Sequence, residues 1–191
     1  GSSILRLYKD IDFNKLKIPV FSTVASRGII EENNKYSAGP FTGEGKELSL
    51  EYILSRESDL LICLGVSATE LTGQFDPNLK CIFLEPERCL NYKITSQNPL
   101  IIPNDYIYEL ISNLKHFIWG ESIIHKSKNI LLESLSIPEW SPYKIYDVMN
   151  RTDINYIQVL DTGSFATVAE HSWTVCGTRR YFGASNSRFM G

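Results

Sequence analysis

The chain has 191 residues, of which 43% are hydrophobic, and a formal net charge of −3 at pH 7. This length suffices for one large domain or two small ones, and folding should bury about 70% of the unfolded surface. Basic residues are dispersed along the chain, which argues against a nucleic-acid partner. No signal peptide is recognisable and no apolar run reaches the roughly 18 residues of a membrane span. We therefore expect a cytoplasmic protein without a membrane partner.

The cysteines and histidines do not have the spacing of a metal site. The four cysteines form no Cys-x-x-Cys pair, and none of the three histidines is placed to complete a ligand set. Cys63 and Cys81 lie in apolar, strand-like runs. We expect them to pack as small hydrophobic residues, with no metal bound by this chain alone.

Strand and helix patterns alternate through the first part of the chain. Apolar runs predict strands at 18–24, 60–65, 81–84 and 100–102, with a Gly-, Asn- and Ser-rich loop at 25–45 between the first two. Helical spacing is found at 48–56 and again after Asn104, which is the expected N-cap. This alternation predicts an α/β fold with a parallel, doubly wound, Rossmann-like sheet.

The pattern changes between residues 116 and 142, which we interpret as a linker. Polar residues 126–129 interrupt the apolar signal, and Pro138 to Pro142 marks an irregular crossing. A short helix at 143–150 and a strand at 156–160 then begin another α/β unit, which ends about thirty residues later. We expect this second unit to be incomplete.

The run Asp161-Thr162-Gly163-Ser164, which follows that strand, admits more than one interpretation, and the first is proteolysis. Taken alone, it resembles the catalytic loop of an aspartic protease. Such an enzyme needs two of these loops, so that two carboxylates share a proton, and this chain has one. The protease fold is also built of strands, so we keep this interpretation only as a minor alternative.

Two collinear stretches carry a family resemblance. Residues 16–23 (LKIPVFST), 26–30 (SRGII), 57–65 (ESDLLICLG) and 72–75 (TGQF) resemble the middle domain of thiamine-diphosphate-dependent decarboxylases and acetolactate synthases. Residues 140–191 resemble the start of the pyrophosphate-binding domain in the same family. That second likeness rests on residues 160–165 (LDTGSF), 179–182 (RRYF) and 189–191 (FMG).

The resemblance implies a domain organisation. Residues 1–135 would be the middle domain, lacking its first strand, and Gly1 would match the glycine that ends that strand. Gly1 to Ser3 could equally be the remnant of an expression tag. Residues 136–191 would be the beginning of the pyrophosphate-binding domain, incomplete at its carboxyl end.

The resemblance also implies the cofactors thiamine diphosphate and Mg²⁺. Cofactor-binding residues would be Gly163, Ser164 and Phe165 at the diphosphate, and Met190 beneath the thiazolium ring. Packing in the core is the alternative role of Met190. The Gly-Asp-Gly…Asn metal motif would lie beyond Gly191, and the activating glutamate on another domain, so we assign no catalytic residue here. Residues 65–73 lack the arginine of FAD-binding members, which argues against FAD.

By resemblance, the parent enzyme decarboxylates a small 2-oxo acid and then protonates the product or joins it to an acceptor. It would act as a homodimer or homotetramer, or with partner chains of a split enzyme. The alternative function is a non-catalytic nucleotide-binding or regulatory module of Rossmann-like form. Arg27 is expected to be a solvated loop residue, with a nucleotide phosphate as its other possible partner. His171, next to Glu170, is expected on a helix surface without forming a dyad.

Overall fold

The computed structural model describes most of the chain in a series of ranges. The described residues are 1–43, 45, 48–66, 70, 80–85, 100–101, 103–152, 156–161, 163–175 and 177–183. No helix within these ranges is both long and apolar enough to cross a membrane.

The helices begin where the sequence supplies suitable first residues. The Ser49 side chain accepts a hydrogen bond from the Tyr52 N–H at 3.2 Å and caps the second helix. Pro142 opens the fifth helix, where its missing N–H costs nothing. Within the described ranges the α-helices are α1 (Ser2–Leu7), α2 (Leu50–Glu57), α3 (Asn104–Leu114), α4 (Glu121–Leu135), α5 (Pro142–Asn150) and α6 (Ser164–Ser172).

All described strand pairs are parallel, as the alternating pattern predicts. They form three separate sheets, β1–β2, β3–β4–β5 and β6–β7, rather than one continuous doubly wound sheet. The predicted α/β class is thus present with incomplete sheets. The strands are β1 (Val20–Ser22), β2 (Ser37–Pro40), β3 (Leu61–Leu64), β4 (Cys81–Glu85), β5 (Leu100–Ile101), β6 (Gln158–Leu160) and β7 (Tyr181–Gly183).

Helices cover both faces of the β1–β2 sheet. On one face, Ile4 of α1 and Ile107 of α3 belong to a buried cluster that Val20 and Leu64 also contact. A second cluster lies over Phe21 on the opposite face, and its members are Ala38, Leu50, Leu54 and Ile124. Complete burial of one such aliphatic side chain stabilises the fold by about 1.5–3 kcal/mol. β1 and β3 therefore share the helix layer formed by α1 and α3, although they are not hydrogen-bonded to each other.

The predicted linker at 116–142 is wrong over most of its length, because α4 occupies Glu121–Leu135. The polar residues 126–129 lie within this helix and do not interrupt it. Ile124 and Ser127 are buried, three residues apart on the face that packs inward. The apolar stripe is narrow, so the sequence signal was weak. Residues 136–141 are irregular, as predicted.

The predicted loop at 25–45 contains a strand that the sequence pattern does not predict. β2 has the sequence Ser-Ala-Gly-Pro, which has low β propensity. It forms because β1 pairs with it: the Val20 N–H donates to the Tyr36 carbonyl at 2.9 Å, and the Phe41 N–H donates to the Ser22 carbonyl at 2.8 Å. Tertiary pairing overrides local preference here.

Two element boundaries and one helix also differ from the prediction. Pro103, not Asn104, is the N-cap of α3, and Asn104 is its first helical residue. β1 is shorter than the predicted 18–24, because a 3-10 turn at Val24–Ser26 follows it. Helix α1 is absent from the prediction. The other predicted strands and helices begin and end within one or two residues of their predicted bounds. The domain boundary between residues 135 and 136 stays a prediction.

Candidate functional site

The candidate site lies where β6 leads into α6. The Gln158 N–H donates to the Arg180 carbonyl at 2.7 Å, which anchors β6 beside β7. The chain then passes through Asp161 and Gly163 and enters α6 at Ser164. A strand, a short loop and a helix thus follow one another, as in phosphate-binding βα units.

Gly163 gives the helix an open amino end. Its φ of +129° lies in the region that favours glycine. Among the described residues, none places an atom within 4 Å of a Cβ built on Gly163, and none caps the helix with a side chain. Ser164 follows as an exposed residue. The first N–H groups of α6, with the positive end of its dipole, are therefore suited to an anion such as a phosphate group.

Aromatic residues fix the position of this helix. The Tyr146 hydroxyl of α5 donates to the Phe165 carbonyl at 3.1 Å, and the Tyr146 ring stacks on Trp173 at 5.3 Å between centroids. The Phe165 ring is 49% exposed and lies 6.0 Å from the Trp140 ring. The buried rings of Tyr146 and Trp173 thus support the loop, and Phe165 presents an exposed aromatic surface beside it.

Three of the four predicted cofactor-binding residues lie at the amino end of α6. Gly163, Ser164 and Phe165 are consecutive at the start of α6. Met190 lies outside the described residues. Asp161 is exposed and precedes a helix among parallel strands, surroundings unlike the strand-built fold of an aspartic protease.

Arg27 is a correction to the sequence analysis, which expected a solvated side chain. It is 3% exposed. Its Nε and Nη2 atoms donate to the two carboxylate oxygens of Glu32, each at 2.8 Å. Nη2 also donates to the Trp173 carbonyl at 2.7 Å, and the same carboxylate accepts from the Val175 N–H at 2.7 Å. The pair joins the turn after β1 to the segment after α6.

Two further groups surround the guanidinium. Arg27 lies 4.3 Å from the centre of the Tyr181 ring, and the Tyr181 hydroxyl donates to Glu170 at 3.5 Å. Burial works against the charged guanidinium, but Glu32 outweighs it and raises the pKa of Arg27. Burial also raises the pKa of Glu170 and of Tyr181, although Arg27 opposes both shifts. The cluster therefore contains the permanently charged guanidinium of Arg27, paired with the carboxylate of Glu32.

His171 lies next to Glu170 on α6 and is partly buried, so it is not the fully surface-exposed residue expected. Burial lowers its pKa, and the positive charge of Arg27 lowers it further. The site therefore favours a neutral imidazole. Successive helical residues point in different directions, so His171 and Glu170 do not form an acid–base dyad.

The backbone also approaches closely at this junction. Gly28 has φ +82°, and a Cβ on it would lie 2.2 Å from the Gly177 carbonyl oxygen. Sequence reasoning missed this contact and the Arg27–Glu32 pair. The available signal was a basic residue, a glycine and an acidic residue within one short apolar stretch, which many loops share.

No group of three or more metal-ligating side chains is found among the described residues. Cys63 and Cys81 are both buried in an apolar cluster, as predicted. Burial, with Cys81 adding to it, raises the pKa of the Cys63 thiol to about 12. These thiols are therefore poor metal ligands and poor nucleophiles at neutral pH.

Comparison with known families gives one match. Residues 13–93 match the family described as thiamine pyrophosphate enzyme, central domain. The matched segment includes β1 to β4, α2 and the Arg27–Glu32 pair. A comparison with curated proteins finds no match.

Proposed function

We propose, from the match of residues 13–93 to the central-domain family of thiamine pyrophosphate enzymes, that the chain is part of a thiamine-diphosphate- and Mg²⁺-dependent enzyme acting on a 2-oxo acid. The family match carries the proposal. The open amino end of α6 supports it, because a diphosphate needs uncapped N–H groups of this kind.

In this proposal, Gly163 and Ser164 receive the diphosphate. Gly163 leaves room for phosphate oxygens to approach the backbone, and the Ser164 hydroxyl donates a hydrogen bond to one of them. Phe165 offers an aromatic surface beside the loop. Met190 is proposed to lie beneath the thiazolium ring. Bound thiamine diphosphate would supply the carbon nucleophile and the electron sink for loss of CO₂.

The remaining parts of the proposal concern groups that this chain does not provide. The Mg²⁺ ligands would come from a Gly-Asp-Gly…Asn motif beyond Gly191, and the activating glutamate from another domain. The product of decarboxylation would be protonated or joined to an acceptor. In this proposal, the residues at the start of α6 bind and orient the cofactor.

An exposed apolar face supports assembly with further protein. Val159 of β6 pairs with Phe182 of β7, and these side chains are 72% and 54% exposed. Ile157 is 60% exposed, two residues before Val159 and so on the same face. We propose that a second copy, or the partner chain of a split enzyme, covers this face. Sedimentation of the chain with and without Val159→Asp tests it, since a charge there should weaken the assembly.

The first test is the reading frame of the transcript on both sides of this chain. We expect a Gly-Asp-Gly…Asn run beyond Gly191 and a glutamate-bearing domain upstream. A stop codon after Gly191, with no co-purifying partner chain, would overturn the enzymatic proposal and favour a non-catalytic module.

The second test measures the binding of thiamine diphosphate and Mg²⁺ by titration calorimetry, on the full-length protein that the first test identifies. Gly163→Ala should weaken binding at least tenfold, because the methyl group fills the phosphate-facing space. Gly177→Ala is the matched control, since Gly177 also has a positive φ, +113°, with no atom within 4 Å of a Cβ. Equal affinity in the two variants would remove Gly163 from the binding site.

A further inference from the structure

Trp173 connects the two ends of α6. Its N–H donates to the Ala169 carbonyl at 2.8 Å, in the last turn of the helix. Its ring stacks on the Tyr146 ring, and the Tyr146 hydroxyl donates to the Phe165 carbonyl at the amino end of α6. A shift of Trp173 therefore moves the carboxyl end of α6 directly, and it disturbs the support of the amino end through Tyr146.

Arg27 and Glu32 hold the segment after α6 at two points. Nη2 of Arg27 donates to the Trp173 carbonyl at 2.7 Å, and the Glu32 carboxylate accepts from the Val175 N–H at 2.7 Å. The two side chains are joined by two hydrogen bonds of 2.8 Å and are only 2% and 11% exposed. A segment held at one point can rotate about it, whereas a segment held at two points has a fixed direction. Because charge-assisted hydrogen bonds are short and strong, the pair fixes the direction in which the chain leaves α6.

The turn that carries this pair is itself closely packed. Arg27 lies 4.3 Å from the centre of the Tyr181 ring in β7. A Cβ on Gly28 would lie 2.2 Å from the Gly177 carbonyl oxygen, so the turn after β1 lies directly against the backbone that connects α6 to β7. Packed interiors transmit a displacement because they contain few voids that could absorb it. A movement of the turn is therefore passed on to α6.

The length of α6 converts a small rotation at one end into a displacement at the other. The helix has nine residues, which gives a length of about 14 Å at about 1.5 Å per residue. A rotation of about 5° at its carboxyl end therefore moves its amino end by roughly 1 Å. Since N–H···O hydrogen bonds span only about 2.7–3.2 Å between heavy atoms, this displacement is enough to weaken the bonds from the first N–H groups of α6 to a phosphate.

We propose that Arg27 and Glu32 are positioning residues for the diphosphate-binding end of α6. They act through Trp173, and they hold Gly163 and the first N–H groups of the helix where a phosphate can be bound. The inference rests on the proposed function and adds to it the residues that set the affinity for the diphosphate. Both residues belong to the matched segment 13–93, so this part of the chain controls a site that lies outside it.

Titration calorimetry on the full-length protein tests the inference. The ratio of the dissociation constant of thiamine to that of thiamine diphosphate with Mg²⁺ measures what the diphosphate contributes to binding. In a double variant, Arg27→Met with Glu32→Met, we expect this ratio to fall at least tenfold, because a misplacement of about 1 Å disrupts productive contacts. Both charges are removed together, so no unpaired buried charge remains to unfold the protein.

Two further variants separate positioning from stability. Leu54→Ala empties a buried position of α2, in a cluster that contains no residue of α6, and so lowers stability alone. We expect it to leave the ratio within about twofold of the original value. Tyr146→Phe removes only the hydroxyl that bonds to the Phe165 carbonyl, and it is the milder test should the double variant not fold. We expect it to lower the ratio about threefold, since it removes one hydrogen bond that supports the loop.

Hydrogen exchange of the cofactor-free protein gives a readout that does not depend on the cofactor. We expect peptides from 164–172 to exchange at least about fivefold faster in the double variant than in the unaltered protein or in Leu54→Ala. An unchanged ratio or unchanged exchange in the double variant would overturn the inference, while binding of thiamine diphosphate by the unaltered protein would still support the proposed function. Absence of that binding in the unaltered protein would overturn the proposed function and the inference with it.

Discussion

Arg27 and Glu32 form a buried, doubly hydrogen-bonded ion pair whose outer contacts reach residues about 145 positions away in the chain. Arg27 donates to the Trp173 carbonyl, and Glu32 accepts from the Val175 N–H. Each member satisfies one backbone group of the distant segment while neutralising its partner. The pair therefore links the family-matched residues 13–93 to the segment that carries the candidate cofactor loop.

Replacing Arg27 by Met should destabilise the protein by about 3–5 kcal/mol, because it leaves the Glu32 carboxylate buried without its cation. Urea unfolding of the two proteins measures the difference. Lys35→Met is the control, since Lys35 pairs with Glu121 at 2.7 Å but is 62% exposed. That exposed pair should contribute little to stability, because solvent screens it. Similar losses in both variants would mean that the Arg27 pair is not buried in solution.

Replacing Gly28 by Ala should be far more damaging than replacing Gly39 by Ala. The two glycines have nearly the same positive φ, +82° and +81°, so the backbone strain of the substitutions is alike. A Cβ at Gly28 meets the Gly177 carbonyl at 2.2 Å, whereas one at Gly39 meets nothing within 4 Å. We expect Gly28→Ala to cost at least about 2 kcal/mol more, from thermal or urea unfolding. Equal costs would show that the two segments do not touch.

The stability of the protein should fall on acidification in a way that depends on His171. Its pKa is lowered in the folded state by burial and by Arg27, so the unfolded chain takes up the proton first. The stability that neutral His171 contributes is fully present above about pH 6.5, and it is lost as the pH falls through the pKa of the folded state. Unfolding free energies between pH 5 and 8 should show a flatter slope for His171→Gln. An unchanged slope in His171→Gln would contradict the prediction.

Cys63 should resist alkylation in the native protein. Burial raises its pKa to about 12, so almost no thiolate exists at pH 8, and the side chain is only 7% exposed. Iodoacetamide labelling followed by peptide mass spectrometry should find Cys63 unmodified in buffer and modified in urea. Labelling at the same rate in both conditions would show that the cluster around Cys63 opens readily.

Much of the local structure follows from sequence pattern alone. The apolar runs at 60–65 and 81–84 became β3 and β4 because continuous hydrophobic segments favour strands buried on both faces. Pro142 and the periodicity after it gave α5. The resemblance of residues 16–75 to the middle domain is confirmed by the match over 13–93, and the resemblance of residues 140–191 stays a prediction. The consecutive placement of Gly163, Ser164 and Phe165 at a helix start also follows from the strand, glycine and helix order.

Other features were decided only when distant segments met. β2 exists because β1 offers it hydrogen bonds, and α4 persists through polar residues because Ile124 is buried against α2 and β2. Nothing local identifies Arg27 as buried, since its environment comes from Trp173, Val175 and Tyr181. Sequence by itself determined most of the strands and helices and the family that they resemble, because these depend on short-range periodicity and motif order. The tertiary structure alone decided the strand β2, the persistence of α4, and the burial and pairing of Arg27, because these depend on residues that come together from far apart in the chain.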